Sequence, residues 1–280
     1  MAATRSLREQ SHPKQFRTPA DMLSKYVQTH VFDAAFSAPH GGPPNSNHSW
    51  FSRDDVAELY FRSPNHVKAV FGSEYVRSTI GPDGKNFNDF ETAINLMALE
   101  RHEVLKLSPA SYSTGHSENH NPTVAMWFLA SASEDADGHA IDKAFTPILV
   151  GSLEDQLSDH ALGLIVSTGI KTDFDLRKYF GGQNMPVYSM VYKVLLKSPT
   201  SVSAFRNMQN NLSHGLPAEV DASSSFVLFG QEGLVLDDDA GIKVRYSKHH
   251  LPDVVTNLNL VRCKPPTSRF DGVTRFLGLL

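Results

Sequence analysis

The chain has 280 residues, 40% of them apolar and 20% charged, a balance typical of a globular protein with one large or two small domains. The net charge of −4 gives no indication of nucleic-acid binding, and the single cysteine, Cys263, excludes an internal disulfide and a cysteine metal site. No apolar run reaches the roughly 18 residues of a membrane span, and the first twenty residues lack the apolar core of a signal peptide. We therefore expect a cytoplasmic protein that contacts neither membranes nor nucleic acids.

The N-terminal residues divide into a tail and a predicted helix. Residues 1–17 are polar and are predicted to be a disordered tail. Thr18-Pro19 has the residue types of a helix start, and it predicts a helix that ends near His30. The apolar residues at helical spacing in this helix are Met22, Leu23, Tyr26 and Val27. Residues 37–49 are rich in Gly, Pro, Asn and Ser, so they are predicted to form a loop.

A strand followed by a helix comes next. The strand carries Val56, Leu59 and Phe61, and Ser63-Pro64 then opens a helix whose apolar face includes Val67, Val70, Phe71 and Tyr75. Residues 81–84 form a turn cluster. Residues 94–107 are predicted to be a strand or a helix, because periodicity does not decide between the two.

The later part of the chain repeats strands and helices after a polar stretch. A strand is predicted over 124–130, a helix interrupted by Pro147 and Gly151 over 141–157, and a strand over 162–167. A hairpin around residues 230–233 is predicted to join strands 225–229 and 234–236, with another strand at 244–246. The predicted units are therefore a first half at 18–107, a linker at 108–123, a second half at 124–246 and an extended C-terminal segment at 247–280.

The strand–helix unit occurs twice in the sequence. Residues 191–205 (VYKVLLKSPTSVSAF) align without gaps with residues 56–70 (VAELYFRSPNHVKAV). Each copy has a strand, a basic residue, a Ser-Pro helix start and an apolar-faced helix in the same order. Two copies so far apart indicate a duplicated domain rather than a solenoid, although chance similarity is an alternative.

The order of predicted elements favours an α+β fold with an antiparallel sheet and helices on one face. Such a half leaves the other face of its sheet apolar and in need of cover. Two halves stacked sheet to sheet would bury these faces and enclose a pocket between them.

A set of residues in the first half resembles the EthD family of dimeric α+β barrel proteins, in particular its fungal members. The residues that carry the resemblance are the segment 18–30, His48-Ser49-Trp50, Glu58 to Phe61, Tyr75, Pro82-Asp83, Phe87 and Asp89-Phe90. The resemblance implies tandem ferredoxin-like half-barrels in one chain. It also implies a cofactor-independent dehydratase, decarboxylase or cyclase that acts on a small aromatic or polyketide molecule in fungal secondary metabolism.

One feature of the family is missing. The family normally has a strand before its first helix, and residues 1–17 contain no such strand. Either the first half is incomplete at its N-terminus, or another segment fills that edge of the sheet.

Within this interpretation, His30 is the candidate acid–base residue, because histidine exchanges a proton near neutral pH. Tyr26 is expected one turn earlier on the same helix face, and His48 is a second candidate. The candidate substrate-binding residues are Trp50, Phe51, Glu58, Tyr60, Tyr75 and Phe87. Structural alternatives are a helix C-terminal role for His30 and core positions for Tyr26 and Trp50.

No metal site or cofactor is expected. The paired histidines at 116 and 120 and at 249 and 250 lack the spacing of known metal motifs, and there is no phosphate-binding glycine loop. Haem-dependent oxidation is a third hypothesis, and it would need a proximal ligand to the iron. The alternative to an enzyme is a non-catalytic barrel that binds a small apolar ligand or a protein partner, including a second copy of the chain.

Overall fold

The computed structural model describes residues 22–36, 55–84, 89–107 and 122–238, and the backbone of 242–243 and 273–279. The strands are β1 Lys25–Phe36, β2 Asp55–Phe61, β3 Ile94–Glu103, β4 Thr123–Ser131, β5 Ala161–Gly169, β6 Tyr188–Leu196, β7 Val220–Asp237, β8 Ile242–Lys243 and β9 Val273–Leu279. The α-helices are α1 Pro64–Phe71, α2 Gly81–Gly84, α3 His139–Gln156, α4 Leu176–Phe180 and α5 Val202–Ser213. A π-helical turn, Val76–Ile80, precedes α2, and a 3₁₀ turn, Pro199–Ser201, precedes α5.

The strands form one curled antiparallel sheet in the order β1-β2-β9-β3-β5-β6-β4-β7-β8. β1 also pairs with β7, so the hydrogen-bonded ladder returns to its starting strand and eight strands form a ring, with β8 attached to β7. The predicted α+β class and the antiparallel pairing are therefore confirmed. The undecided segment at 94–107 is strand β3 as far as Glu103.

The predicted helix from Thr18 to His30 is wrong over its second half, because Lys25–Phe36 is strand β1. Val27 and Thr29 are fully buried, whereas Gln28 is half-buried and His30 exposed, which is the alternation of a strand. The strand pairs with β2 on one side and β7 on the other. Pairing on both sides over residues 25–30 outweighs the helical spacing of its few apolar residues.

The predicted hairpin at residues 230–233 is also wrong, because β7 is one continuous strand of 18 residues. Gly230 is needed there for close approach to β1 and not for a turn. A Cβ atom at Gly230 would lie 2.5 Å from Thr29 Cγ2 and 2.6 Å from the carbonyl oxygen of His30. Glycine lets the two backbones approach at this point of the ring.

The C-terminal strand completes the first half of the sheet. β9 lies between β2 and β3 and pairs antiparallel with both. A strand from the C-terminal end of the chain thus lies among strands from its N-terminal part. The predicted strand at 244–246 and most of the predicted linker lie outside the described residues.

Helices cover the outer face of the ring on two sides. In the second half, α3 and α5 pack on the outer face of the sheet around Trp127, Phe145 and Phe205, all at 0% exposure. The interruptions predicted at Pro147 and Gly151 do not break α3. In the first half, Ser63 Oγ accepts a hydrogen bond from the His66 amide and caps α1, as predicted. No helix in the described part of the chain is long and apolar enough to span a bilayer.

Candidate functional site

Strand alternation directs Glu58 and Tyr60 of β2 into the ring. Phe61 faces outward and packs against Phe71 of α1, so Glu58 and Tyr60 belong to the opposite, inner face. The Tyr60 hydroxyl lies 3.1 Å from Glu58 Oε2 and 3.0 Å from Glu100 Oε2, within hydrogen-bond distance of both carboxyl groups. The sequence predicted this shared face, and the structure places both residues on it.

Lys193 of β6 reaches the same place from the opposite side of the ring. Its Nζ donates to Glu58 Oε1 and Oε2 at 3.1 and 2.9 Å, and to Glu232 Oε2 at 2.6 Å. The side chains of Lys193 and Glu58 are 2% and 0% exposed. We call Glu58, Tyr60, Glu100, Lys193 and Glu232 the inner polar cluster.

The inner polar cluster runs from the sealed interior toward solvent. Burying a lysine or a glutamate costs several kcal/mol unless the charge is paired, and the contacts of Lys193 with Glu58 and Glu232 meet this need. The side chains of Glu100 and Glu232 are 10% and 17% exposed. The exposed His102 lies 3.9 Å from Glu100. Two carboxylates that can be reached from solvent thus border the cluster, Glu232 beside the buried Lys193 ammonium group and Glu100 beside the Tyr60 phenol.

Another part of the inner face is apolar and packed with aromatic rings. The rings of Phe128 and Phe226 stack with centroids 5.1 Å apart, and Tyr188 meets both edge-on. All three residues are at most 1% exposed. The pocket expected between the halves is occupied in this region by these side chains.

His30 and Tyr26 lie on the outer face of the ring and not beside the inner polar cluster. His30 Nδ1 is 2.6 Å from Asp55 Oδ1 of β2, and Gln28 Nε2 donates to Asp55 Oδ2 at 3.1 Å. The His30 side chain is 66% exposed. Tyr26 and His30 share a face, as predicted, but they do so on a strand, and strand alternation points them away from Glu58.

Among the remaining predicted site residues, Tyr75 is the one that the structure describes, and it joins neither group. Tyr75 precedes the π-helical turn and is 38% exposed on the outside of the ring. His48, Trp50, Phe51 and Phe87 lie outside the described residues, so their roles stay predictions.

Sequence reasoning missed Lys193, Glu100 and Glu232. One signal for Lys193 was present, because the repeat aligns it with Glu58 and it is the one charged residue in the apolar run VYKVLL. Asp55 was also missed as the partner of His30. That pairing follows from the β1–β2 register, in which His30 stands opposite Asp55.

A second polar network holds the two halves together on the outer face. Arg101 of β3 makes two hydrogen bonds of 2.6 Å to the carboxylate of Asp142 on α3. Burial by itself would raise the pKa of Asp142, but hydrogen bonds from Arg101, Thr146 and Thr168 outweigh it and hold that pKa below its ordinary value. Burial raises the pKa of the neighbouring Tyr192 phenol. This network is a structural clamp, since its carboxylate is fully occupied by donors.

An external groove is a weaker candidate for a binding site. It has a volume of about 180 Å³, small beside the roughly 300–1,000 Å³ of typical ligand sites. Lys68, one of its lining residues, is bonded to Asp173 across it at 2.9 Å. Among the described residues there is no group of three or more His, Cys, Asp or Glu arranged to hold a metal ion.

A family model of the EthD domain matches residues 10–91 of the chain. The match covers β1, β2 and α1 and ends before β3, so it supports the resemblance seen in the sequence over part of the first half. Comparisons with curated proteins and with solved structures gave no match.

Proposed function

We propose that the chain processes a small molecule by proton transfer without a cofactor. The reaction class is a lyase or cyclase of dehydratase or decarboxylase type, and the substrate is a small aromatic or polyketide molecule of the kind made in fungal secondary metabolism. The observation that carries the proposal is the inner polar cluster, in which Lys193 and Tyr60 hold three glutamates inside the ring. The EthD match over residues 10–91 is consistent with small-molecule processing.

The proposed architecture is a pair of ferredoxin-like half-barrels in one chain. The second half runs β4-α3-β5-α4-β6-α5-β7 with the sheet order β5-β6-β4-β7, and α4 is a short helix added between β5 and β6. The first half has the order β1-β2-β9-β3, in which β9 takes the place that β4 holds in the second half. The first half is therefore a circular permutation of the second, with its first strand at the C-terminal end of the chain.

The proposed mechanism assigns the base to the solvent side of the inner polar cluster. Glu100 or Glu232 removes a proton from the carbon next to a substrate carbonyl, which leaves an enolate. The Tyr60 hydroxyl and the Lys193 ammonium group donate hydrogen bonds to the enolate oxygen and lower its energy. In a dehydration the β-hydroxyl then leaves, and the protonated glutamate returns the proton to it, so that water is released and a double bond forms.

The test compares turnover of aromatic acids that carry a β-hydroxy ketone by the wild type, Glu100→Gln, Glu232→Gln and His30→Ala, with loss of water as the readout. We expect the glutamate variant that lacks the base to lose about 10²–10⁴-fold in rate. His30→Ala is the control, because His30 is exposed on the outer face. Loss of turnover in His30→Ala alone would move the site to the His30–Asp55 pair and overturn the proposal.

The second candidate is a non-catalytic barrel that binds a small apolar ligand or a protein partner. The packed rings of Phe128, Tyr188 and Phe226 fill this part of the apolar interior, which favours a protein partner over a ligand held between these rings. Binding of the same aromatic acids in a thermal-shift assay without turnover would favour this candidate. A mass measurement in solution shows whether the chain pairs with a second copy of itself.

A further inference from the structure

The two residues at the centre of the inner polar cluster occupy equivalent positions in the repeat. Glu58 and Lys193 are separated by 135 residues, which is the offset that aligns Val56 with Val191 and Ser63 with Ser198. Their charged groups are in direct contact at 2.9 Å. Equivalent residues that touch each other must lie on the axis that relates the two halves.

The strand registers give the same equivalence independently. Thr29 of β1 pairs with Glu232 of β7, and Ser167 of β5 pairs with Glu100 of β3. On their other sides, Thr29 pairs with Val56 and Ser167 pairs with Val191. These valines stand two residues before Glu58 and Lys193, respectively. Glu100 and Glu232 are therefore a second equivalent pair, arranged on either side of the central contact.

We infer that the Glu58–Lys193 contact selects the partner of each half: it favours the other half of the same chain over the corresponding half of a second copy. This inference rests on the proposed two-half architecture and is independent of catalysis. In a barrel made from two first halves, Glu58 would face Glu58 of the second copy. In one made from two second halves, Lys193 would face Lys193. Like charges in contact and out of water are strongly unfavourable, so only the mixed pairing is stable.

The first experiment reverses and restores the charge in the full chain. Lys193→Glu places two carboxylates on the axis, and we expect the melting temperature to fall by about 10 °C or more, or folding to fail. Adding Glu58→Lys restores the opposite charges, and by the equivalence of Glu100 and Glu232 the new lysine has Glu100 within reach. We expect the double variant to recover most of the loss.

A matched control separates contact on the axis from net charge. Lys193→Glu with Glu100→Lys has the same net charge as the double variant but leaves Glu58 facing the new glutamate. Recovery with Glu58→Lys but not with Glu100→Lys supports the inference. Equal recovery in both variants, or no recovery in either, overturns it.

The second experiment tests partner choice directly. Chains with Glu58→Lys and chains with Lys193→Glu are co-expressed with different tags, so that opposite charges on the axis are available only between chains. We expect a complex with both tags and twice the 30.9 kDa mass of one chain, which neither variant forms by itself. Two separate single-chain species that melt like the wild type would contradict the inference.

Discussion

The two halves of the ring use the chain in different ways. All four strands of the second half come from one stretch, β4 to β7, with α3 and α5 between them. The four strands of the first half come from β1, β2, β3 and the distant β9. In the proposed two-half architecture, the same strand order is thus reached once by local connections and once by bringing together both ends of the chain.

This difference shows which part of the ring depends on pairing between strands that are far apart in the sequence. A half built from consecutive elements forms its contacts at a small entropic cost of loop closure. The pairing of β9 with β2 and β3 closes a loop that spans most of the sequence, and its entropic cost is larger. We therefore expect the second half to be the more persistent unit and the first half to depend on β9.

The largest effect is expected from removing residues 273–279. Both β2 and β3 lose the strand between them, so the ring opens in the first half. Hydrogen exchange is expected to rise to near-unprotected rates in 55–61 and 94–103, while 123–131 and 188–196 stay protected.

Deletion of Leu280 alone is the control for this truncation, because Leu279 is the last paired residue of β9. It is expected to leave all four segments protected. Uniform loss of protection in both halves of the truncated chain would show that the second half does not persist without the first.

An intermediate effect is expected from Asp142→Asn, which weakens the clamp between the halves. Hydrogen bonds to a charged partner contribute on the order of 1–3 kcal/mol each. Because the pKa of Asp142 is lowered in the folded state, its contribution to stability is present above the unfolded pKa and is lost as the pH falls through the folded value. The variant should therefore be less stable at neutral pH, and its stability should depend less on pH below about pH 4.

Thermal melts of the wild type and Asp142→Asn between neutral and acidic pH check this expectation. Asp155→Asn is the control, since Asp155 is an exposed residue of the same helix. If the melting temperatures of the wild type and Asp142→Asn fall equally as the pH decreases, the assigned role of the Asp142 carboxylate is contradicted.

The sequence predicted local features better than distant ones. Ser63-Pro64 marked the start of α1, and alternation put Glu58 and Tyr60 on one face, because both signals lie within a few residues. The first part of β1 was predicted as a helix because Tyr26 and Val27 continue the helical spacing that begins after Thr18-Pro19, and pairing with β2 and β7 overrides this local pattern. The cluster partners of Glu58 come from strands across the ring, and their contact depends on a register that no local pattern encodes.

The smallest effect is expected from Phe71→Leu, which tests where the halves meet on the side of α1. Phe71 stacks on Phe174 with ring centroids 5.6 Å apart and meets Phe180 at 5.0 Å, so this first-half helix is covered by residues that follow β5. We expect a loss of about 1–1.5 kcal/mol in unfolding free energy, together with faster hydrogen exchange in 170–181. Phe145→Leu is the matched control, because Phe145 is fully buried among second-half residues and should leave exchange in 170–181 unchanged. If exchange in 170–181 is unchanged in Phe71→Leu, the segment after β5 is held by the second half alone. The two halves would then stabilise each other only through the strand pairing of the ring.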